Sequence, residues 1–119
     1  MTEPAPPAGL PAALAQRQLD AYNAHDLDAF CACYAPDVQA WSLPDMALLF
    51  EGRDTLRARY GPYFEAKRPH AELVGERVTL GAFAIDVEAV RLADGAALDA
   101  VAIYQVEGGL IRRIWFIRG

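Results

Sequence analysis

No stretch of this chain approaches the roughly 20 apolar residues in a row that a membrane span requires, so no membrane helix is expected. Cysteine is scarce: Cys31 and Cys33 are the only two. They lie two apart in a helical pattern, where positions i and i+2 point to different sides, which excludes an unstrained disulfide between them. Nor do they announce a metal site, because the only histidines, His25 and His70, form no ligand pair with them. Buried, reduced thiols fit a cytoplasmic location. An excess of positive charge is missing too. The formal net charge of −5 argues against a nucleic-acid backbone as partner. No phosphate-cradling loop, zinc signature or nucleophile triad occurs, so neither metal nor cofactor is expected.

What is present suits one small domain. At 119 residues, 54% of them apolar, the chain is long enough to bury a core. The segment Met1 to Leu10 carries Pro4, Pro6 and Pro7 and lacks the basic start and apolar run of a signal peptide. It reads as a disordered tail before a single domain over 11–119. Pro11 suits a first helical turn, and Leu14, Ala15, Gln18, Leu19 and Tyr22 then keep helical spacing to about Asn23. Asp26 is a good N-cap for a second helix, with Leu27, Phe30, Cys31 and Tyr34 on one face until Ala35-Pro36-Asp37 stops it. A strand over Val38 to Leu43, a turn at Leu43-Pro44-Asp45 and a short strand over Ala47 to Phe50 follow. Gly52-Arg53-Asp54 opens a third helix, with a kink or break expected at Gly61-Pro62.

From Leu73 to Ile117 four β-rich segments are punctuated by Leu80-Gly81, Asp94-Gly95 and Gly108-Gly109, which are hairpin signals. Helices first and then an antiparallel meander means α+β, with the helices on one sheet face. If Gly81-Ala82 is a two-residue turn, Arg77 faces Asp86 and lies diagonal to Glu88. With Gly81 alone at the centre, Glu76 would meet Asp86, so electrostatics favour the first register. That register puts Val74, Val78, Leu80, Phe83, Ile85, Val87 and Ala89 on an apolar face, and Arg77, Thr79, Asp86 and Glu88 on a charged one. Turning at Asp94-Gly95 adds Leu98, Ala100, Ala102 and Tyr104 to the apolar side, and Asp99, Val101, Ile103 and Gln105 to the other. Val101 and Ile103 among charges suggest a second subunit over that face. The Gly108-Gly109 turn is compatible with a plain or a bulged hairpin, so the face of Trp115 relative to Phe116 stays open.

The order Gln18 to Asp28 (QLDAYNAHDLD), Tyr34-Ala35-Pro36-Asp37 and Glu51 to Leu56 (EGRDTL) resembles the nuclear transport factor 2-like superfamily. The ending Val101 to Ile111 (VAIYQVEGGLI), followed by Trp115-Phe116, resembles its SnoaL-like branch, which includes polyketide cyclases and relatives of ketosteroid isomerase. The resemblance spans about Ala13 to Ile117. It implies a cone: three helices on a strongly curved sheet, a pocket at the open end, and frequent dimers. It does not carry over the isomerase machinery. Ser42 stands at the position of the aspartate base, Gln18 at that of the tyrosine and Ala102 at that of the protonated aspartate, and none can do the required job. Asp45, three residues beyond Ser42, is a substitute only if its turn does not leave it solvated. The segment Glu76 to Glu88 is similar to one in uncharacterised members that often have a histidine where this chain has Val87.

Candidate site residues follow. Asp86 and Glu88 are the candidate catalytic carboxylates, one moving a proton with its pKa set by burial while Arg77 orients a carbonyl or anionic group. The competing reading is an ion-pair ladder on the outer face. Parity with Val87 and Ala89 favours the ladder, and a bulge would reverse it. Trp41, Tyr60, Phe64, Tyr104 and Phe116 are candidate pocket aromatics, with Tyr104 first and Tyr60 second. His25 and His70 read as solvated. Of Arg112 and Arg113, one must point inward if the strand alternates. The expected partner is a small, largely apolar organic molecule, with a homodimer through the sheet and no nucleic acid or membrane. Its chemistry would be proton transfer of isomerase, cyclase or lyase type; the competing function is a binding or dimerisation module without catalysis.

Overall fold

The computed structural model describes residues 10–118. The expected tail over 1–9 lies outside them, and Leu10, assigned to that tail, already belongs to the first helix. Three helices, α1 (Leu10–Ala24), α2 (Leu27–Cys31) and α3 (Arg53–Lys67), pack on one side of a curved, mostly antiparallel sheet. Its strands are β1 (Tyr34–Ser42), β2 (Ala47–Glu51), β3 (His70–Leu73), β4 (Val78–Leu80), β5 (Phe83–Arg91), β6 (Ala97–Glu107) and β7 (Leu110–Arg118). They run in the order β2-β1-β7-β6-β5-β3, with β4 pairing the start of β5 and β1 lying parallel to β7. The fold class is therefore the α+β roll that the element order implies. Among the described residues no helix is long and apolar enough to cross a membrane.

Local chemistry accounts for most boundaries. Asp26 caps α2 by accepting from the Ala29 N–H at 3.1 Å. The expected helix does not reach Tyr34. It ends at Cys31, and Tyr34 opens β1 beside Ile111, whose N–H donates to the Cys33 carbonyl at 2.9 Å. Pro36 is tolerated because the pairing of β1 with β7 is interrupted between Tyr34 and Gln39, where no ladder donor is needed. Nor does α3 break at Gly61-Pro62; it runs through to Lys67. One forfeited backbone bond is outweighed by the packing of Leu56, Tyr60, Tyr63 and Phe64. Gly61 has a steric role, since a Cβ there would sit 3.2 Å from Leu27 Cδ2. Cys31 and Cys33 are both buried free thiols.

The hairpin at Gly81-Ala82 has the two-residue register that electrostatics favour, Leu80 against Phe83. The next turn corrects the assignment of faces. Arg91 pairs with Ala97, and the Leu92 N–H donates to the Ala96 carbonyl at 2.8 Å, leaving a three-residue loop of Ala93, Asp94 and Gly95. Gly95 takes φ +88°, and the Asp94 carboxylate accepts from the Ala96 N–H. An odd loop reverses parity relative to a two-residue turn. Asp86 therefore lies beside Ala102, and Glu88 beside Ala100, on the face the helices cover. Phe83, Ile85, Val87 and Ala89 go to the outer face with Val101 and Ile103, and Val74, Val78 and Leu80 are exposed. The helices thus rest on the side that carries the two acids.

The last hairpin has both features left open: a two-residue Gly108-Gly109 turn and a bulge. Val106 pairs with Ile111 and Gln105 with Arg113, so Arg112 is the extra residue. Ile111 and Ile114 are both buried as a result, and Arg112 and Arg113 both stay outside, where Arg112 bridges Asp37 and Glu107. Phe116 faces inward and Trp115 outward.

Arg77 fastens α1 to the edge of the sheet. Its Nε donates to Asp86 Oδ1 at 2.6 Å and its Nη2 to Oδ2 at 3.0 Å, while Nη1 reaches the Ala12 carbonyl and Gln16 Oε1. Asp86 is 0% exposed. A buried carboxylate is costly without its counter-ion, so Arg77→Met is expected to lower stability by about 3–5 kcal/mol in urea denaturation. Arg77→Met with Asp86→Leu should recover most of that loss. A single variant within about 1 kcal/mol of the parent would show that the pair carries no such weight.

Candidate functional site

The registers set the inner side chains in rows. Ala84, Tyr104, Ile114, Ala40 and Phe50 form the most buried row. Asp86, Ala102, Phe116 and Ser42 form the next, and Leu73, Glu88, Ala100 and Arg118 the third. Burial falls along this sequence, so the cone opens toward the row of Glu88. Ala102 and Ala100 keep the middle of β6 small, and the helices bring Tyr22, Phe30, Tyr60 and Tyr63 opposite. What remains is a cavity of about 440 Å³. Its wall includes those four aromatics with Tyr34, Phe50, Tyr104 and Phe116, and among the described residues Glu88 is its only acid.

Two polar groups of hydroxyls shape it. At the buried end the Tyr34 hydroxyl donates to Gln18 Oε1 at 3.2 Å, and Gln18 Nε2 donates to the Tyr104 hydroxyl at 2.9 Å. On the helix side the Tyr22 and Tyr63 hydroxyls share a bond of 2.8 Å. Burial is the main cause that raises the pKa of Tyr22, Tyr34, Tyr60 and Tyr104, and the Glu88 charge adds to it, as the next cause for Tyr104 and a smaller one for the other three. At the mouth, Arg59 lies over the Phe50 ring and Arg118 over the Phe116 ring, each 5.1 Å from the centroid.

Of the residues singled out in the sequence, the cavity wall includes Glu88, Tyr60, Tyr104 and Phe116. The others are placed elsewhere. Trp41 pairs with Trp115 on the outer face. Phe64 is buried among Tyr22, Phe30 and Tyr60 behind the wall. Arg77 is spent on Asp86, and Asp86 lies under it rather than against the cavity. Ser42 and Asp45 do not line the cavity, and Val87 points outward, so a histidine there would not reach it either. Gln18, Tyr22, Tyr34, Tyr63, Arg59 and Arg118 are wall residues that sequence reasoning did not select. One signal for Gln18 was available: it is a polar residue in line with Leu14, Ala15 and Leu19 on a buried stripe. Among the described residues no group of three metal-ligating side chains occurs.

Residues 15–114 match the family model of the SnoaL-like domain. Several solved structures share the fold. A candidate ketosteroid isomerase from Kribbella flavida superposes with TM-score 0.81 at 20% identity, over 94% of this chain and 79% of that one. An uncharacterised cystatin-fold protein from Novosphingobium aromaticivorans gives 0.79 at 26% identity, over 95% and 100%. A candidate polyketide cyclase from Sinorhizobium meliloti gives 0.71 at 20% identity, over 87% and 93%. No protein of curated function matches. These likenesses establish the cystatin-like cone and leave the chemistry to the site itself.

Burial, and next the charge of Asp86, push the Glu88 carboxyl up to about 7, while Tyr104 and Arg77 pull it down less strongly. The folded chain therefore holds this proton to about pH 7, whereas the unfolded chain loses it near the model value of 4.5. Between the two, folding takes up a proton, so stability falls as pH rises through that window and levels off above it. The expected loss is on the order of 2–3 kcal/mol. Glu88→Gln should flatten the profile and exceed the parent in stability at pH 8, as measured by urea denaturation at pH 5 and 8. Parallel profiles for parent and variant would refute the assignment.

Proposed function

Because the chain belongs to the SnoaL-like family, we propose that its cavity binds a compact, largely apolar organic molecule and that Glu88 moves a proton on it. The observation that carries this reading is a lone carboxyl among aromatic rings, with a pKa of about 7. A general base works best near the operating pH, where it is ionised yet still basic enough to accept a proton. In the simplest step the carboxylate takes a proton from carbon next to a carbonyl. The C–H electron pair forms a carbon–carbon double bond while the carbonyl π pair moves onto oxygen, and a tyrosine hydroxyl of the Tyr22–Tyr63 pair donates to the enolate oxygen. Return of the same proton to another carbon completes an isomerisation; its return to a leaving oxygen completes an elimination. Ketosteroid isomerase activity itself is not proposed, since Ser42, Gln18 and Ala102 replace that machinery.

A thermal-shift screen over steroids, polyketides and small carbonyl compounds should find binders. Hits incubated in D₂O should exchange a proton next to the carbonyl, at a rate that rises with pH through about 7. Glu88→Gln should keep the thermal shift and lose exchange by about 100-fold or more. Binding without exchange in the parent, or exchange that survives in Glu88→Gln, would favour a binding module that performs no chemistry.

The outer face supports a homodimer. Val78, Ile85, Ile103, Trp115, Trp41 and Leu48 form an unbroken apolar row across six strands, flanked by Val87, Val101 and Ile117. Five strand gaps of about 4.8 Å make the row roughly 24 Å wide, near the edge length of a typical interface of about 800 Å² per partner. Val101→Asp is expected to elute as a monomer on size exclusion while keeping the parent's circular dichroism. An unchanged elution volume would count against this interface.

A further inference from the structure

The mouth of the cavity carries charge that the fold itself does not use. Arg59 from α3 and Arg118 from the end of β7 both line the cavity, and each sits over a ring that lines it, Phe50 and Phe116. Their other contacts are slight: Arg59 donates to the Leu49 carbonyl at 3.3 Å, and among the described residues neither forms an ion pair. Two nearby arginines that do not line the cavity are committed, Arg77 to Asp86 and Arg53 to the Tyr34 carbonyl. A guanidinium held over an aromatic face keeps N–H donors free for an acceptor, and two such groups at one opening can receive a carboxylate.

We infer that the cavity takes an amphipathic organic acid, whose planar apolar body lies between the aromatic walls and whose carboxylate is held at the mouth by Arg59 and Arg118. This deepens the proposed function and rests on the same cavity. Glu88, Ala100 and Arg118 are register partners, so the backbones carrying the base and one arginine stand two strand spacings apart, roughly 10 Å. That span suits a molecule of one or two fused rings, with its anionic end at the arginines and a carbon proton near Glu88. Both arginines also act on the Tyr60 hydroxyl, lowering its pKa against burial, as expected if they converge at one opening.

Titration calorimetry of the full chain with 2-naphthoate and its neutral isostere 2-naphthamide tests this. The parent should bind the acid at least about tenfold more tightly, with a preference that shrinks as salt is raised. Arg59→Gln with Arg118→Gln keeps part of each stem over its ring, and should abolish the preference, bringing the affinity for the acid down to that for the amide. Equal affinities in the parent, or a preference that survives in the double variant, would overturn the inference and leave the cavity reading intact. If neither probe bound the parent, both would fall together.

Discussion

A single guanidinium stands near two acids on the covered face of the sheet, and it binds only one of them. Arg77 gives its two parallel donors to Asp86, which is fully buried, and turns its remaining donors to the backbone and side chain of α1. Glu88, one residue pair further along β5, is left with the desolvation and only the weaker compensation of Tyr104 and the more distant Arg77 charge. Asp86 adds its own negative field. A carboxyl in that position relaxes by holding its proton rather than by ionising, the general response of a buried acid without a partner. The pair that fastens α1 to the sheet therefore also contributes, after burial, to the raised pKa of Glu88. Structure and site share one electrostatic origin.

That origin depends on the length of one loop. Had the β5–β6 turn been two residues, Glu88 would share a face with Asp99 and Val101 and stand in water. Three residues, with Gly95 in the left-handed region, place it beside Ala100 instead. Alanines at 100 and 102 then matter as much as the acid. Larger residues would fill the cone and leave Glu88 facing packed hydrocarbon, and the small pair leaves room for a ligand between sheet and helices.

Much of this was legible in the sequence. Element order, the Gly81-Ala82 register and the Arg77–Asp86 pairing followed from turn chemistry and the avoidance of facing like charges. The fold class followed from the same reasoning, and the family model and solved structures agree with it. What failed was the propagation of parity from one hairpin into the next. Asp94-Gly95 signals a turn equally well whether the loop has two residues or three, and apolar residues stood on both faces of β5, so hydrophobicity chose the wrong side. Phe83, Ile85 and Val87 read as core because their outer face is itself apolar. The helix-borne wall was the least legible part. Tyr22 and Tyr63 look like ordinary core aromatics until a third element, β5, sets a carboxyl near them, and no local pattern records that contact.

The charge order of the cavity also resolves an apparent conflict with composition. A chain with a net charge of −5 repels anions at long range, which would argue against an acidic ligand. Screening limits that repulsion to about 8 Å in physiological salt, so the field a ligand meets at the opening is that of the nearest groups. Those are Arg59 and Arg118, with Glu88 further in and neutral for part of its working range. An anion entering with its apolar end first would pass the row of Glu88 and the rings before reaching the hydroxyls at the buried end, while its own charge remained at the rim. On the inferred binding mode, the acidity of the whole chain would oppose other anionic surfaces, and the rim would admit the small ones.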